Sequence, residues 1–170
     1  MINTVKNTIK TRQVAILAAS GVSENALSQM QNALVAEGAV TKIIAPYMGY
    51  IKGDMGTGIK VDQSFLMAAS VLFDAVYVPG GEKSAATLIE IADAVHFVDE
   101  AFKHCKAIAA DNEGMELLKV SSIGRKKSAD PSGTDLSVDG VIINKSPKDF
   151  IKAIAQHRFW EREILHKVPA

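Results

Sequence analysis

The chain has 170 residues, 48% of them hydrophobic, with 19 basic and 19 acidic side chains; that is enough apolar material for one sizeable core and leaves no net field to draw it to nucleic acid or an anionic membrane. A single cysteine, Cys105, excludes an intrachain disulfide framework and fits a reducing compartment. No run reaches the roughly 18 apolar residues of a membrane span, and the first twelve residues lack a signal-peptide pattern, so the expected location is cytoplasmic.

In chain order, basic residues Lys6, Lys10 and Arg12 precede the first apolar run, Val14–Ala18. Ser23 can cap a helix running to about Glu37, with Leu27, Met30 and Leu34 on one face and Gly38 as its stop. Val40–Ala45 is the second apolar run. Gly53-Asp54 and Thr57-Gly58, set between Tyr50-Ile51 and Ile59–Val61, then predict a small hairpin within Met48–Ser64. Ala75–Val78 follows. Leu88, Ile91, Val95, Val98, Phe102 and Cys105 recur at spacings of three and four, which predicts one long helix. Ala107–Ala110 leads into a third helix after Gly114, and Ser121–Asp135, with Arg125-Lys126-Lys127, Pro131 and Gly133, reads as a polar, mobile loop. After Val141–Ile143, the stretch Ser146-Pro147-Lys148-Asp149 opens a fourth helix that turns Phe150, Ile151 and Ile154 inward.

The five apolar runs lack polar alternation, as strands buried on both faces do. Alternated with helices, they predict an α/β fold: a flavodoxin-like, doubly wound parallel sheet with helices on both faces and a small β-hairpin excursion. Residues 13–170 form one domain in this reading, and residues 1–12 are a linker-like lead.

Chemistry in such a sheet belongs outside the carboxyl ends of the strands, here Ala19–Ser23, Pro79–Ser84, Asp111–Gly114 and Asn144–Ser146. The candidate crevice residues are Gly80, Gly81, Glu82, Asp111, Asn112 and Glu113. A Gly pair after a buried strand can aim backbone N–H groups into the crevice as an oxyanion hole does, or can simply make a tight turn. Glu82, Asp111 and Glu113 could supply an acid–base pair, but with no nucleophile, metal or histidine joined to them they read as acids at helix termini. No Walker loop or dinucleotide fingerprint is present, and His96, His104, His157 and His166 have no metal-ligand spacing. Cys105 reads as a small buried hydrophobe. The stretch Lys106–Leu118 is a buried strand running into a sharp turn and a helix, the place where a hydrolase holds its nucleophile, yet the tip carries Asp111, Asn112 and Glu113 and neither Cys nor Ser.

Val76-Tyr77-Val78-Pro79-Gly80-Gly81, the run His96–Ala110, the segment Ala155–Arg162 with its His157-Arg158-Phe159-Trp160, the terminal Val168-Pro169-Ala170 and the lead Lys10–Leu17 together resemble the C-terminal domain of large-subunit haem catalases. The resemblance implies the class I glutamine amidotransferase-like fold shared with PfpI-type proteases. Active members of that superfamily place a Cys at the elbow, commonly followed by His, with a supporting Glu after the first strand. By this match Asn112 stands for the Cys, Glu113 for the His, and Ser23 falls near the Glu, so the resemblance implies a site without its catalytic groups. Catalase chemistry needs a distal His and Asn and a proximal Tyr inside a β-barrel; Tyr47, Tyr50 and Tyr77 read as packing residues, and haem is expected only in a parent catalase core, with no cofactor or metal in this chain. The implied role is a non-catalytic module supporting stability, assembly or substrate access of the haem core. The rival readings are a free-standing PfpI-like hydrolase using Glu113 or Glu82, and a chaperone-like stress protein. The expected partner is a catalase core or a second copy of the chain in a homo-oligomer, with Arg158, Phe159, Trp160 and Arg162 as the candidate interface; the competing reading of Trp160 is that it folds back to cap the core.

Overall fold

The computed structural model describes residues 7–127 and 138–165. Lys6, Pro131, Gly133, His166 and Val168-Pro169-Ala170 lie outside them, as do the side chains of Lys126 and Lys127. Six parallel strands form one sheet in the order β5-β2-β1-β6-β7-β8, where β1 is Gln13–Leu17, β2 Val40–Ala45, β5 Gln63–Ser64, β6 Ala75–Val78, β7 Ala107–Ala110 and β8 Val141–Ile143. Register is set around β1, where Ile16 lies opposite Ile43 on one side and Tyr77 on the other. The hairpin is β3 (Tyr50–Lys52) paired antiparallel with β4 (Gly58–Lys60), separate from the main sheet. Among the described residues no helix is long and apolar enough to cross a membrane.

Alternate strand residues feed two cores. One face of the sheet, with Val14, Ile16, Tyr77 and Ala109, packs on α1 (Glu24–Ala36) and α6 (Pro147–Ala155) through Leu27, Met30, Leu34, Phe150 and Ile154. The other face, with Ala15, Leu17, Val76, Val78 and Ile108, is covered by α2 (Glu82–Ile89), α3 (Ala92–Lys103) and α4 (Met115–Val120) through Leu88, Val98, Phe102, Leu117 and Leu118. Full burial of a side chain such as Phe102 or Phe150 contributes about 1.5–3 kcal/mol. The packing reaches back to Ile9, which is buried against the α1 face.

Helix α1 starts as the sequence predicts, with the Ser23 side chain accepting from the Ala26 N–H. Three expectations are corrected. The single long helix is two: α2 stops at Ile89, and Ile91 takes an extended conformation before α3 begins. Both helices pack on one sheet face, so the three-and-four spacing runs across the break. Cys105 lies past the end of α3 with φ 56° and is buried. The loop read over Ser121–Asp135 begins with a helix, α5 (Ser122–Lys127), whose Ile123 is buried and whose Ser122 N–H donates to the Asp99 carboxylate at 2.6 Å. Tyr47 and Tyr50 do not pack: both are exposed on the hairpin side, and of the three tyrosines only Tyr77 is buried.

The N-terminal edge of the sheet is crossed by the segment following α6. The Phe159 N–H donates to the Cys105 carbonyl at 2.8 Å, and the His157 imidazole lies 3.8 Å from Asp74, which also pairs with Arg12 at 3.1 Å. Gly140, at φ 78°, leaves room for the Phe159 ring; a Cβ there would strike it.

Candidate functional site

Where β7 ends, Asp111 is still extended and Asn112 turns to φ 45° before the chain passes through a short 3-10 turn into α4. Asn tolerates this left-handed conformation better than most residues. The turn is locked from two sides. The Asn112 N–H donates to Asn144 Oδ1 at 2.5 Å, from the loop after β8. Gly114 lets the turn sit against the Val78 and Pro79 carbonyl oxygens, where a Cβ would not fit.

Facing this elbow is the turn between β6 and α2. Gly81 has φ 123°, and a Cβ on it would collide with the Gly21 carbonyl oxygen. The Gly80 carbonyl in turn accepts from the Ser23 N–H at 2.8 Å. The Gly81 N–H, which sequence reasoning assigns to an oxyanion hole or a tight turn, donates to Glu113 Oε2 at 2.9 Å. Glu113 is therefore the anion that occupies the donor. Hydrogen bonds from the Gly81 N–H and from its own N–H hold its carboxyl below the ordinary range. A general acid at neutral pH needs the opposite shift.

The three acids do not form a cluster. Glu113 and Glu82 line one cavity of about 670 Å³, together with Ser23, Lys52, Asp54 and Lys83. Asp111 lies in the neighbouring groove, between α1 and the start of α6. There its Oδ2 accepts from the Tyr77 hydroxyl at 2.6 Å. Burial first, and then this bond, raise the Tyr77 pKa above the ordinary phenolic range. Ser23 caps α1, and the carboxylate next to it, Glu24, is the residue that sequence reasoning missed. Glu24 is largely buried and its Oε1 accepts from the Thr57 N–H at 2.8 Å and the Met55 N–H at 3.1 Å, tying the hairpin to α1. Only its place in the first helical turn was visible beforehand, and that alone reads as a helix-dipole acid.

Cys105 precedes β7 and the elbow follows it, so the thiol and Asn112 lie beyond opposite ends of a strand that is itself roughly 13 Å long. Among the described residues no three His, Cys, Asp or Glu side chains are grouped as a metal would require.

The residues proposed for an interface separate in the structure. Trp160 is 42% exposed. Phe159 is half-buried against the α6 core, and Arg158 is half-buried with its guanidinium donating to the His157 carbonyl at 2.9 Å. Arg162 is not a surface residue: it is 2% exposed, its guanidinium stacks 4.9 Å from the Phe102 ring centre and 5.3 Å from that of Phe159, and it donates to the Lys106 carbonyl. Burial pushes its pKa down to about 10.

The fold has relatives of known structure. The DJ-1/ThiJ/PfpI-like and ferritin-like two-domain protein of Anabaena variabilis matches over 85% of this chain and 47% of its own, with a TM-score of 0.69 and 24% identity. DJ-1 of Schizosaccharomyces pombe matches over 94% of this chain and all of its own, with a TM-score of 0.70 and 15% identity. These likenesses establish the flavodoxin-like architecture. In sequence, the chain is 37% identical to Catalase HPII of Mycobacterium avium over 96% of its length and 39% identical to Catalase-2 of Bacillus subtilis over 95%. It spans only 24% and 22% of those proteins. Residues 10–163 match the sequence profile of the C-terminal domain found in long catalases. The chain belongs to that family of long-catalase C-terminal domains.

Proposed function

We propose that this domain is a non-catalytic module that binds a catalase core and supports its stability, assembly or access of substrate. The observation that supports this most is the elbow, where Asn112 stands at the strained position and the Glu113 carboxylate takes up the Gly81 N–H. An amide does not attack a carbonyl, and a donor already committed to a carboxylate is not open to a developing oxyanion. The thiol of Cys105 is buried at the other end of β7.

In this reading haem belongs to the catalase core and not to this domain. An axial phenolate needs an enclosed pocket beside it, whereas the Tyr77 hydroxyl is engaged by Asp111 within the fold and Tyr47 and Tyr50 are at the surface. Peroxide chemistry is therefore assigned to the catalase portion that accounts for the remaining length of the relatives. The exposed Trp160, three residues after the His157 that lies against Asp74, is a contact residue for that portion or for a second copy.

The test uses the haem-loaded catalase portion of a long catalase from which its own C-terminal domain has been removed. With this chain added, its peroxide-dismutating activity should survive heating longer, and the chain alone should have no Soret band and evolve no oxygen. Identical inactivation with and without the chain would overturn the proposal, as would robust peptidase or deglycase activity abolished by Glu113→Gln.

A further inference from the structure

Between β5 and β6 the chain crosses the sheet through residues 65–74, with only a 3-10 turn, Ser70–Leu72, where such a crossover ordinarily places a helix. Phe65 and Phe73 point inward against Phe97, at ring distances of 6.4 and 5.8 Å. Their neighbours point outward: Leu66 is 89% exposed, Met67 68%, Val71 74% and Leu72 59%. Scattered exposed apolar residues are ordinary, but a concentration of this kind on one short segment marks a contact surface. The segment is held from within, because the buried Lys106 ammonium donates to the Ser70 carbonyl at 2.6 Å. Beside it, against α3, runs a groove of about 310 Å³ with Phe65, Phe97 and Val71 in its wall and Asp93, His96 and Glu100 at its rim. An apolar centre with a polar rim is the anatomy of a protein interface.

The occupant follows from how the chain enters the domain. Asp74, two residues after Leu72, accepts from the Gln13 N–H at 2.9 Å, pairs with Arg12 and donates its own N–H to the Gln13 carbonyl at 2.7 Å. In long catalases this domain is C-terminal, so the catalase portion leads in through the residues aligned with Arg12 and Gln13. Those residues start β1, which neighbours β6, the strand the exposed segment leads into, at a spacing of roughly 5 Å. A partner tethered there is presented to Leu66–Leu72 at high effective concentration. We propose that Leu66, Met67, Val71 and Leu72, with the groove along α3, form the face on which the catalase portion of a long catalase docks. This rests on the reading of the domain as a catalase-binding module.

The test titrates the haem-loaded catalase portion, lacking its own C-terminal domain, with this chain and three variants. Leu66→Glu/Val71→Glu places charge at two exposed positions, Leu66→Ser/Met67→Ser is a milder change, and Tyr50→Glu is a control on the hairpin. Each is first checked for an unchanged circular dichroism spectrum and Tm. The wild-type chain and Tyr50→Glu should bind alike, the charged pair should bind at least tenfold more weakly, and the serine pair should fall between. Equal binding by wild type and by whichever patch variants fold overturns the docking face while leaving the module reading intact. No binding by wild type overturns both. Loss of self-association in sedimentation, with core binding unchanged, would make a second copy the occupant and overturn the proposal.

Discussion

Replacing Lys106 by methionine should remove a pH-dependent component of stability. Lys106 is 2% exposed, and burial, reinforced by the nearby Arg158, pushes its pKa from the ordinary 10.5 to about 8. Below pH 8 both folded and unfolded states are protonated and the fold bears the whole penalty. Above it, the native state releases its proton first, the unfolded state binds more protons, and stability rises until the unfolded amine also titrates. By pH 9.5 that rise is about 2 kcal/mol if the shift is taken whole, and ~1–2 kcal/mol after discounting for residual solvation. Methionine relieves the buried charge but leaves the Ser70 carbonyl without its donor, a loss of about 1–3 kcal/mol. The two effects offset near neutrality, so Lys106→Met should unfold within about 1 kcal/mol of wild type at pH 7 and fall behind by ~1–2 kcal/mol at pH 9.5. Urea denaturation at the two pH values reads this directly. Parallel pH dependence in both proteins would refute the argument.

Glu113→Gln should keep an acceptor for the Gly81 N–H while losing the charge. The depressed carboxyl pKa stabilises the fold above the unfolded carboxyl value and stops doing so as pH falls through the folded one, so the wild-type advantage in urea midpoint should vanish on acidification. Cys105, 1% exposed, should react with a thiol reagent only as fast as the domain opens, and labelling should accelerate sharply through the urea transition. Trp160→Ala should leave Tm nearly unchanged and weaken association by about 2 kcal/mol, measured by sedimentation with and without the catalase portion; unchanged association with a large loss of monomer stability would make Trp160 a core residue.

The parallel strands were legible because burial on both faces leaves uninterrupted apolar runs, and the parallel order followed from the helices between them. What periodicity could not report was a break that keeps the same face. Ile91 interrupts the helix, yet Leu88 before it and Val98 after it still pack on one side of the sheet. Strand β5 escaped notice because two residues, Gln63 and Ser64, carry no pattern. At the elbow the residue types were readable from the strand-to-turn pattern, and Asn112 sits where that pattern puts it. The direction of each carboxylate was not readable. Asp111 and Glu113 are two residues apart but turn into different grooves, because one meets the Tyr77 hydroxyl and the other the Gly81 N–H. Arg158 and Arg162, four residues apart near Trp160, gave the same surface signal in sequence. Only the crossing of the sheet edge places Arg162 between Phe102 and Phe159.

Sedimentation velocity of this chain mixed with the haem-loaded catalase portion of a long catalase, monitored at both protein and Soret wavelengths, is the most direct test of the module reading. The account predicts that the chain moves into the haem-bearing boundary with one copy per catalase protomer. Two independent boundaries, with the chain sedimenting at the rate it has alone, would contradict it.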